Sequence, residues 1–377
     1  MISQLGWDRA SISAVFFLNM IVFALTLSVA GKFYDRYGPK WIIFISTLFI
    51  SGGYGLIACI RSLWEFHLYY GVVAALGMGG ASVPLIAALM SKWFQKHRGL
   101  AISLALSGNC IGQFILVPIF TDVVLRFGWR LSYLVIGATL FITNTVLVLA
   151  VFKGSPAELG LKPFGAENSL AANKDQESIV ATTTSDDLGL WDAMHTSSFW
   201  LFLFVMFICG SGDFLVATHL IPLVTDYDIS PLEAGKMMAW FGLLGMGGIL
   251  IVGPVSDRLG NKLPIACTFL IRFVLFLLII KYQTRLSFYI FALLFGFTFL
   301  ITAPLTVTLS GKLYGFTHIG LLSGFITTVH HLGGGFWAYM GGVIFDRTGS
   351  YRVIFIMSAA MALIAFCGSI LIKEKRY

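Results

Sequence analysis

Few ionisable side chains interrupt the long apolar runs of this sequence, and they are the first candidates for chemistry. Burying a charge in lipid costs at least ~2.5 kcal/mol, so such residues usually face a cavity or a partner. The candidates are Asp213, His219, Arg272, His330 and His331. A carboxylate, imidazoles and a guanidinium are groups that can exchange a proton or hold an anion.

Asp213 lies deep in the apolar run 197–222. Desolvation favours the protonated form of a carboxyl group, so Asp213 is a candidate proton-coupling site. A structural pair with Arg272 is the alternative. Arg272, in the run 263–281, fits a carboxylate bidentately and suits either an anionic solute or a neighbouring helix. His219 follows Asp213 by six residues and either contacts a ligand or caps structure near the surface.

His330 and His331 are adjacent and precede three glycines. Neighbouring residues point about 100° apart on a helix, so both cannot easily face one cavity. One of them is expected to bind solute or a proton while the other packs, and either assignment is open.

Two polar uncharged residues, Asn109 and Gln113, are four positions apart and share one face of a helix. We expect them to contribute to the N-terminal side of a pocket. Trp240 is a candidate wall of the same pocket, although an interface or packing role fits it equally.

The composition predicts a membrane protein that positions these groups on helices. The chain has 377 residues, of which 58% are hydrophobic and 11% charged, whereas about a quarter are charged in an average soluble protein. A membrane-spanning helix needs ~20 apolar residues. Eleven runs fit: 11–31, 41–60, 66–91, 100–121, 131–152, 197–222, 232–254, 263–281, 286–309, 318–343 and 351–372. The predicted fold class is an all-α membrane protein.

A ten-residue pattern, G-x-x-x-D-R-x-G-x-K, occurs twice, at 31–40 and 253–262. In each copy an apolar run ends at the first glycine and another begins after the turn, which predicts a short hairpin between two spans. We expect the copies to gate contacts between helix ends, with a simple topology anchor as the alternative. The residues concerned are Gly31, Asp35, Arg36, Gly38, Lys40, Gly253, Asp257, Arg258, Gly260 and Lys262.

The basic residues indicate orientation rather than nucleic-acid binding. Of the 25 lysines and arginines, fifteen lie on the side of the predicted hairpins, nine on the opposite side, and Arg272 within a span. The positive-inside rule then places the hairpins and the C-terminus in the cytoplasm.

The chain divides into an N-terminal bundle of five spans (1–152), an acidic linker (153–195) and a C-terminal bundle of six spans (196–377). The second hairpin follows two spans of its half, and the first hairpin follows only one. We therefore expect one N-terminal span to be missing from a twelve-span product.

Enzymatic and cofactor chemistry is not predicted. No phosphate-binding loop or catalytic-triad pattern occurs. The five cysteines fall within spans at spacings that match no metal or redox motif, so we interpret them as small apolar packing residues.

The two halves, the repeated hairpin and the acidic linker together resemble the major facilitator superfamily. Within it, GWDRASIS at 6–13, SKWFQKHRGLA at 91–101 and GGVIFDRTGSY at 341–351 are similar to the monocarboxylate and oxalate-formate transporter branch. The resemblance implies two pseudo-symmetric bundles that alternately expose a central cavity. It also implies hairpins that hold the cytoplasmic side closed in the outward-facing state.

From these observations we expect a monomeric secondary transporter, in a bacterial inner membrane, of a small organic solute such as a monocarboxylate. Proton symport and antiport are both open. One alternative is proton-coupled efflux of a hydrophobic drug-like compound, since monocarboxylate carriers usually place an arginine on the helix corresponding to 232–254 and this sequence has none there. Another is a non-transporting sensor or an inactive truncated product.

Overall fold

The structure is a computed structural model and describes residues 2–94, 96, 98–165, 190–315 and 319–372. Most of the predicted linker, the last five residues and the side chains of Asp35 and Asp257 lie outside this part. The main helices are α1 Arg9–Tyr37, α2 Pro39–Ile57, α3 Leu63–Trp93 (interrupted at 81–82), α4 Arg98–Ala150, α5 Ser197–Thr225, α6 Pro231–Leu259, α7 Lys262–Lys281, α8 Arg285–Tyr314 (interrupted at 300–301), α9 Ile319–Thr348 and α10 Arg352–Leu371. Short helices cover Ile2–Leu5, Pro156–Leu159 and Leu190–Met194.

The predicted all-helical membrane fold is confirmed. Nine helical segments of the described chain are long and apolar enough to cross a membrane. One of them, Leu100–Ala150, contains two predicted spans, because the helix is interrupted at Gly128. The predicted span 318–343 falls on α9, which is not among the nine because its two histidines and its glycines lower its mean hydropathy.

Local chemistry sets where α1 begins and ends. The Oδ1 atom of Asp8 accepts a hydrogen bond from the backbone N–H of Ser11 at 2.7 Å and so caps the first turn. At the other end Gly38 has φ 80° and ψ 166°, a conformation that is essentially restricted to glycine. Pro39 then opens α2 at its first position, where its missing N–H costs nothing.

Both copies of the sequence repeat form the same turn. Gly260 has φ 78° and ψ 175°, close to the values at Gly38. The terminal lysine of each copy reaches the exposed carbonyls at the end of another helix. Lys40 Nζ donates to the Leu149 carbonyl of α4 at 3.4 Å, and Lys262 Nζ donates to the Ile370 carbonyl of α10 at 2.9 Å. These lysines therefore cap helix C-termini, where a cation is favoured.

A glycine with positive φ follows an Arg-x pair at two further helix ends. Gly128 has φ 78° and Gly349 has φ 68°, and each follows an arginine by two residues, as Gly38 and Gly260 do. Beyond Gly128 the second leg of α4 runs antiparallel to α2, since its start contacts the Ile60 carbonyl through Arg130 Nη1 at 3.1 Å and its end contacts Lys40. The Arg-x-Gly turn thus reverses the chain at both ends of the bundle.

We expect Gly128→Ala to lower the free energy of unfolding by about 1–3 kcal/mol, because alanine is strained at this backbone conformation. A Cβ at Gly128 would meet nothing within 4 Å, so crowding does not contribute. Gly108→Ala is the matched control, since Gly108 is an uncrowded helical glycine of the same helix. Thermal unfolding in detergent micelles measures the stability of both variants. Equal stability of the two variants would contradict the assignment of strain to this turn.

Helices α1 and α9, and helices α4 and α6, form the principal contacts between the first 152 residues and the segment after the linker. Glycines permit these close approaches. A Cβ on Gly342 of α9 would come within 2.7 Å of the Arg9 carbonyl oxygen, and one on Gly242 of α6 within 2.9 Å of Gln113 Cβ.

A polar network, here called the latch, joins the two parts of the chain at the start of α1. Both carboxylate oxygens of Asp346 accept backbone hydrogen bonds from the first residues of α1, at 3.2 Å from Arg9 and 2.6 Å from Ala10. The guanidinium of Arg9 makes two hydrogen bonds to Asp226, at 2.6 and 2.8 Å, and a third to the hydroxyl of Tyr351 at 2.7 Å. The latch thus holds three elements of the second part onto α1.

Tyr351 extends the latch into the bundle. Burial raises the pKa of Tyr351 to about 12, so its hydroxyl keeps its proton near neutral pH. It lies 2.9 Å from Nδ1 of His219, whose Nε2 lies 2.8 Å from the Ala338 carbonyl. Because that carbonyl can only accept, Nε2 of His219 donates to it and Nδ1 accepts from Tyr351. We call this end of the bundle the latch end, and the end with Gly38 and Gly260 the hairpin end.

Candidate functional site

Three of the predicted ionisable residues meet in the middle of the bundle. Asp213 lies on α5, Arg272 on α7 and His330 on α9, each at least nine residues from both ends of its helix. That distance corresponds to about 13 Å along a helix axis. The site therefore lies at the depth where a bilayer gives ionised groups the least solvation.

The core of the site is a buried ion pair. An Nη2 atom of Arg272 lies 2.6 Å from Oδ1 of Asp213, and the two residues are 1% and 2% exposed. Removing one partner of such a pair costs about 3–5 kcal/mol, because the other charge is left uncompensated. Asp213 and Arg272 therefore form the structural pair that sequence analysis gave as the alternative role of Asp213.

The guanidinium has further fixed partners. Arg272 donates to the hydroxyl of Thr298 at 3.3 Å and to the backbone carbonyl of Thr298 at 3.1 Å. It also donates to the Cys209 carbonyl at 3.4 Å and lies 4.8 Å from the centre of the Phe295 ring. These contacts hold the guanidinium within the segment after the linker, so it cannot move freely toward a solute.

His330 approaches the second oxygen of the same carboxylate. Its Nε2 lies 3.1 Å from Oδ2 of Asp213, and its side chain is 15% exposed. Because Asp213 is paired with an always-charged arginine, its free oxygen accepts and Nε2 of His330 donates. Its other ring nitrogen, Nδ1, has no hydrogen-bond partner within the described residues.

Cys209 belongs to this polar cluster and is not only an apolar packing residue. Its Sγ lies 3.4 Å from Oδ2 of Asp213 and 3.4 Å from the hydroxyl of Thr302. The ligand atoms of Cys209, Asp213 and His330 lie within 4.8 Å of one another, a spacing that a metal ion could bridge. The guanidinium of Arg272 already contacts the same carboxylate and the same sulfur. The positive charge at the centre of the cluster is therefore this side chain.

His331 points away from the ion pair, toward α1. Its ring centre lies 4.9 Å from that of Phe23 on α1 and 5.3 Å from that of Phe214 on α5. Nδ1 of His331 lies 2.8 Å from the Thr327 carbonyl and therefore carries a proton. Its Nε2 has no hydrogen-bond partner among the described residues. The adjacent histidines thus have different surroundings, one at a buried carboxylate and one between two helices.

The other candidates lie outside this cluster. Both ring nitrogens of His219 are engaged in the latch, which leaves neither for a solute. Gln113 packs against Gly242 at the contact of α4 with α6, and Asn109 is exposed one turn away. Trp240 is exposed and makes an edge-on contact with Phe114, with ring centres 5.7 Å apart.

The N-terminal helices hold a polar cluster that sequence analysis missed. The ring of Tyr54 lies 6.1 Å from those of Tyr70 and Tyr133. Asn19 of α1 is fully buried and donates to the Tyr70 carbonyl at 2.7 Å, while its Oδ1 has no partner among the described residues. Asn19 precedes Phe23 by one turn, so the tyrosine cluster and the contact of His331 share one face of α1. A search for polar residues within apolar runs that included tyrosine would have found it.

Comparison with known proteins decides the family. A family model described as Major Facilitator Superfamily matches residues 1–338 and 204–376. The chain belongs to this superfamily. The relatives matched within this superfamily are transporters and not enzymes. The fold and the family therefore agree that this is an integral multi-pass membrane protein of the transporter class.

Individual relatives in the superfamily are distant. The uncharacterized MFS-type transporter YcxA of Bacillus subtilis (strain 168) is 27% identical, over 98% of this chain and 89% of the relative. Monocarboxylate transporter 12 of Xenopus laevis is 26% identical, over 87% of this chain and 72% of the relative. A solved bacterial homolog of the human lysosomal transporter Spinster, in an inward-facing and occupied conformation, has a TM-score of 0.73 at 12% identity, covering 98% of this chain and 90% of that one. This last likeness concerns the fold alone.

Proposed function

We propose that this superfamily member is a secondary active transporter that carries a small organic anion, such as a monocarboxylate, together with a proton. The observation that carries the proposal is the buried cluster of Asp213, Arg272 and His330 at mid-depth, beside His331 with its free Nε2. Intramembrane ionisable groups mark proton and ion pathways. The similarity to monocarboxylate transporters supports the same solute class.

In this proposal the bundles at 1–152 and 196–377 move against one another about the cluster, as the superfamily fold implies. The latch keeps one end shut in the state described here. Following the positive-inside rule, we assign the latch end to the outside and the hairpin end to the cytoplasm, which makes this a state closed to the outside. Asp35 and Asp257 then belong to the hairpins that would close the cytoplasmic end in the opposite state.

His331 is proposed as the solute contact. When protonated, its Nε2–H can donate to a carboxylate, and the rings of Phe23 and Phe214 offer an apolar surface to the rest of the solute. Such a site favours an anion with an apolar body over a compact inorganic anion.

Uptake into proteoliposomes tests the proposal. Purified protein is reconstituted, and the entry of labelled monocarboxylates of increasing apolar size is followed with and without an inward proton gradient. We expect saturable uptake that the gradient accelerates, and an increase in KM of about tenfold for His331→Ala, which corresponds to a lost charged hydrogen bond. His67→Ala is the control, since Nδ1 of His67 bonds only the Leu63 carbonyl of its own helix. No uptake of any carboxylate would refute the proposal.

A second candidate function is efflux of a hydrophobic cation. The aromatic surface around His331 and the lack of an arginine at 232–254 favour it. Export of a cationic dye from the same proteoliposomes, without carboxylate uptake, would support it.

A further inference from the structure

The carboxylate of Asp213 is the counter-charge of a buried guanidinium. Protonating it would leave the guanidinium of Arg272 without a counter-charge in a place that is 1% exposed. A buried unpaired charge is among the most destabilising defects in a protein. We therefore look for the transported proton on another residue of the cluster.

We propose that His330 is the proton-carrying residue, with its Nδ1 as the atom that gains and loses the proton. This inference rests on the proposed function and differs from the sequence-based choice of Asp213 as the coupling site. Nε2 of His330 keeps its proton in both states, because it donates to the permanent acceptor Oδ2 of Asp213 at 3.1 Å. Nδ1 is the nitrogen left without a partner in the described residues, on a ring that remains 15% exposed.

The charges that face His330 fit this role. Arg272 and Asp213 cancel, so the cluster is neutral when His330 is neutral and carries one positive charge when His330 is protonated. The other groups packed against the ring are the thiol of Cys209, the ring of Phe214 at 5.7 Å and the ring of His331 at 5.2 Å. The histidine pair with one added proton and one bound solute anion is neutral overall, so one proton and one anion would cross together.

This arrangement also separates the roles of the two histidines. Two like charges 5.2 Å apart repel each other strongly at low dielectric, so His330 and His331 do not both carry a charge without an anion between them. Binding of the anion and protonation of the pair are thus linked by reciprocal coupling. Proton loss from Nδ1 on the receiving side would weaken the hold on the anion and release it.

The experiment compares His330→Gln with the unaltered protein in proteoliposomes. Glutamine keeps an N–H donor for Asp213 but cannot titrate. An inward gradient of about one pH unit should drive about tenfold accumulation of the carboxylate by the unaltered protein, and none by His330→Gln. Exchange of internal for external carboxylate at equal pH needs no net proton movement. We therefore expect His330→Gln to keep a measurable exchange, with a raised KM because the neutral glutamine holds the anion less strongly. Gradient-driven accumulation by His330→Gln would overturn the assignment.

A second measurement does not depend on the solute and so separates this inference from the proposed function. In protein with 15N-labelled histidine, the resonances absent from the His330→Gln spectrum belong to His330. We expect its Nδ1 to change protonation between about pH 5 and pH 9 while Nε2 stays protonated. A His330 ring that does not titrate, or that titrates at Nε2, would overturn the inference even if carboxylate is transported. Titration at Nδ1 without carboxylate uptake would support the proton site and refute only the proposed solute.

Discussion

Arg272→Leu is expected to lower the free energy of unfolding by about 3–5 kcal/mol and to abolish transport. The substitution removes the partner of a carboxylate that is 2% exposed and leaves it among apolar side chains. Thermal unfolding in detergent and the yield of monodisperse protein measure the loss.

Two further variants identify the cause. The double variant with Asp213→Asn and Arg272→Leu removes both charges and should recover most of the lost stability. It should remain inactive, because the negative charge beside His330 is gone. Arg285→Leu is the matched control, since Arg285 pairs with Glu233 from a side chain that is 70% exposed, and exposed pairs contribute only about 0–1 kcal/mol. If the double variant were no more stable than Arg272→Leu, the loss would come from packing and not from the unpaired charge.

Arg9→Ala is expected to open the latch end. The substitution removes the two hydrogen bonds to Asp226, the bond to Tyr351 and the stacking of the guanidinium 3.7 Å above the centre of the Phe345 ring. Charged hydrogen bonds contribute about 1.5–3 kcal/mol each, so the population of the state closed at this end should fall at least about tenfold. The rate at which a water-soluble thiol reagent modifies a cysteine at the latch end reports the change.

Arg126→Ala serves as the control for the latch. Arg126 pairs with Asp122 one turn away on the same leg of α4, and its side chain is 69% exposed. It has the same charge as Arg9 but joins no two parts of the chain. If Arg9→Ala and Arg126→Ala gave the same labelling rate, the latch would be a surface ion pair without influence on the conformational equilibrium.

Much of the fold was predictable because its signals are local in the sequence. Apolar runs of membrane-spanning length gave the helices, and Gly38 and Gly260 marked two turns in which no other residue type fits well. The turns at Gly128 and Gly349 share the Arg-x-Gly pattern, but they lack the lysine that makes the first two copies conspicuous.

The residues of the candidate site could be predicted from the sequence, but the contacts between them could not. Asp213, Arg272 and His330 stand out because each interrupts an apolar run. Their meeting depends on how three helices separated by long stretches of chain pack together, which periodicity within one helix does not encode. The different roles proposed for His330 and His331 follow from which helix each ring faces. Nothing in the sequence around Arg9 indicates that it contacts Asp226.

Distances between the two parts of the chain test alternating access most directly. One pair of spin labels is placed at the latch end, on Trp64→Cys and Tyr227→Cys, and another at the hairpin end, on Tyr37→Cys and Leu259→Cys. All four positions are exposed, and the three exposed native cysteines are first replaced by alanine. Pulsed electron paramagnetic resonance then compares each distance in lipid with and without carboxylate. We predict that the two distances change in opposite directions; changes in the same direction, or none for any carboxylate, would contradict alternating access about the Asp213 site.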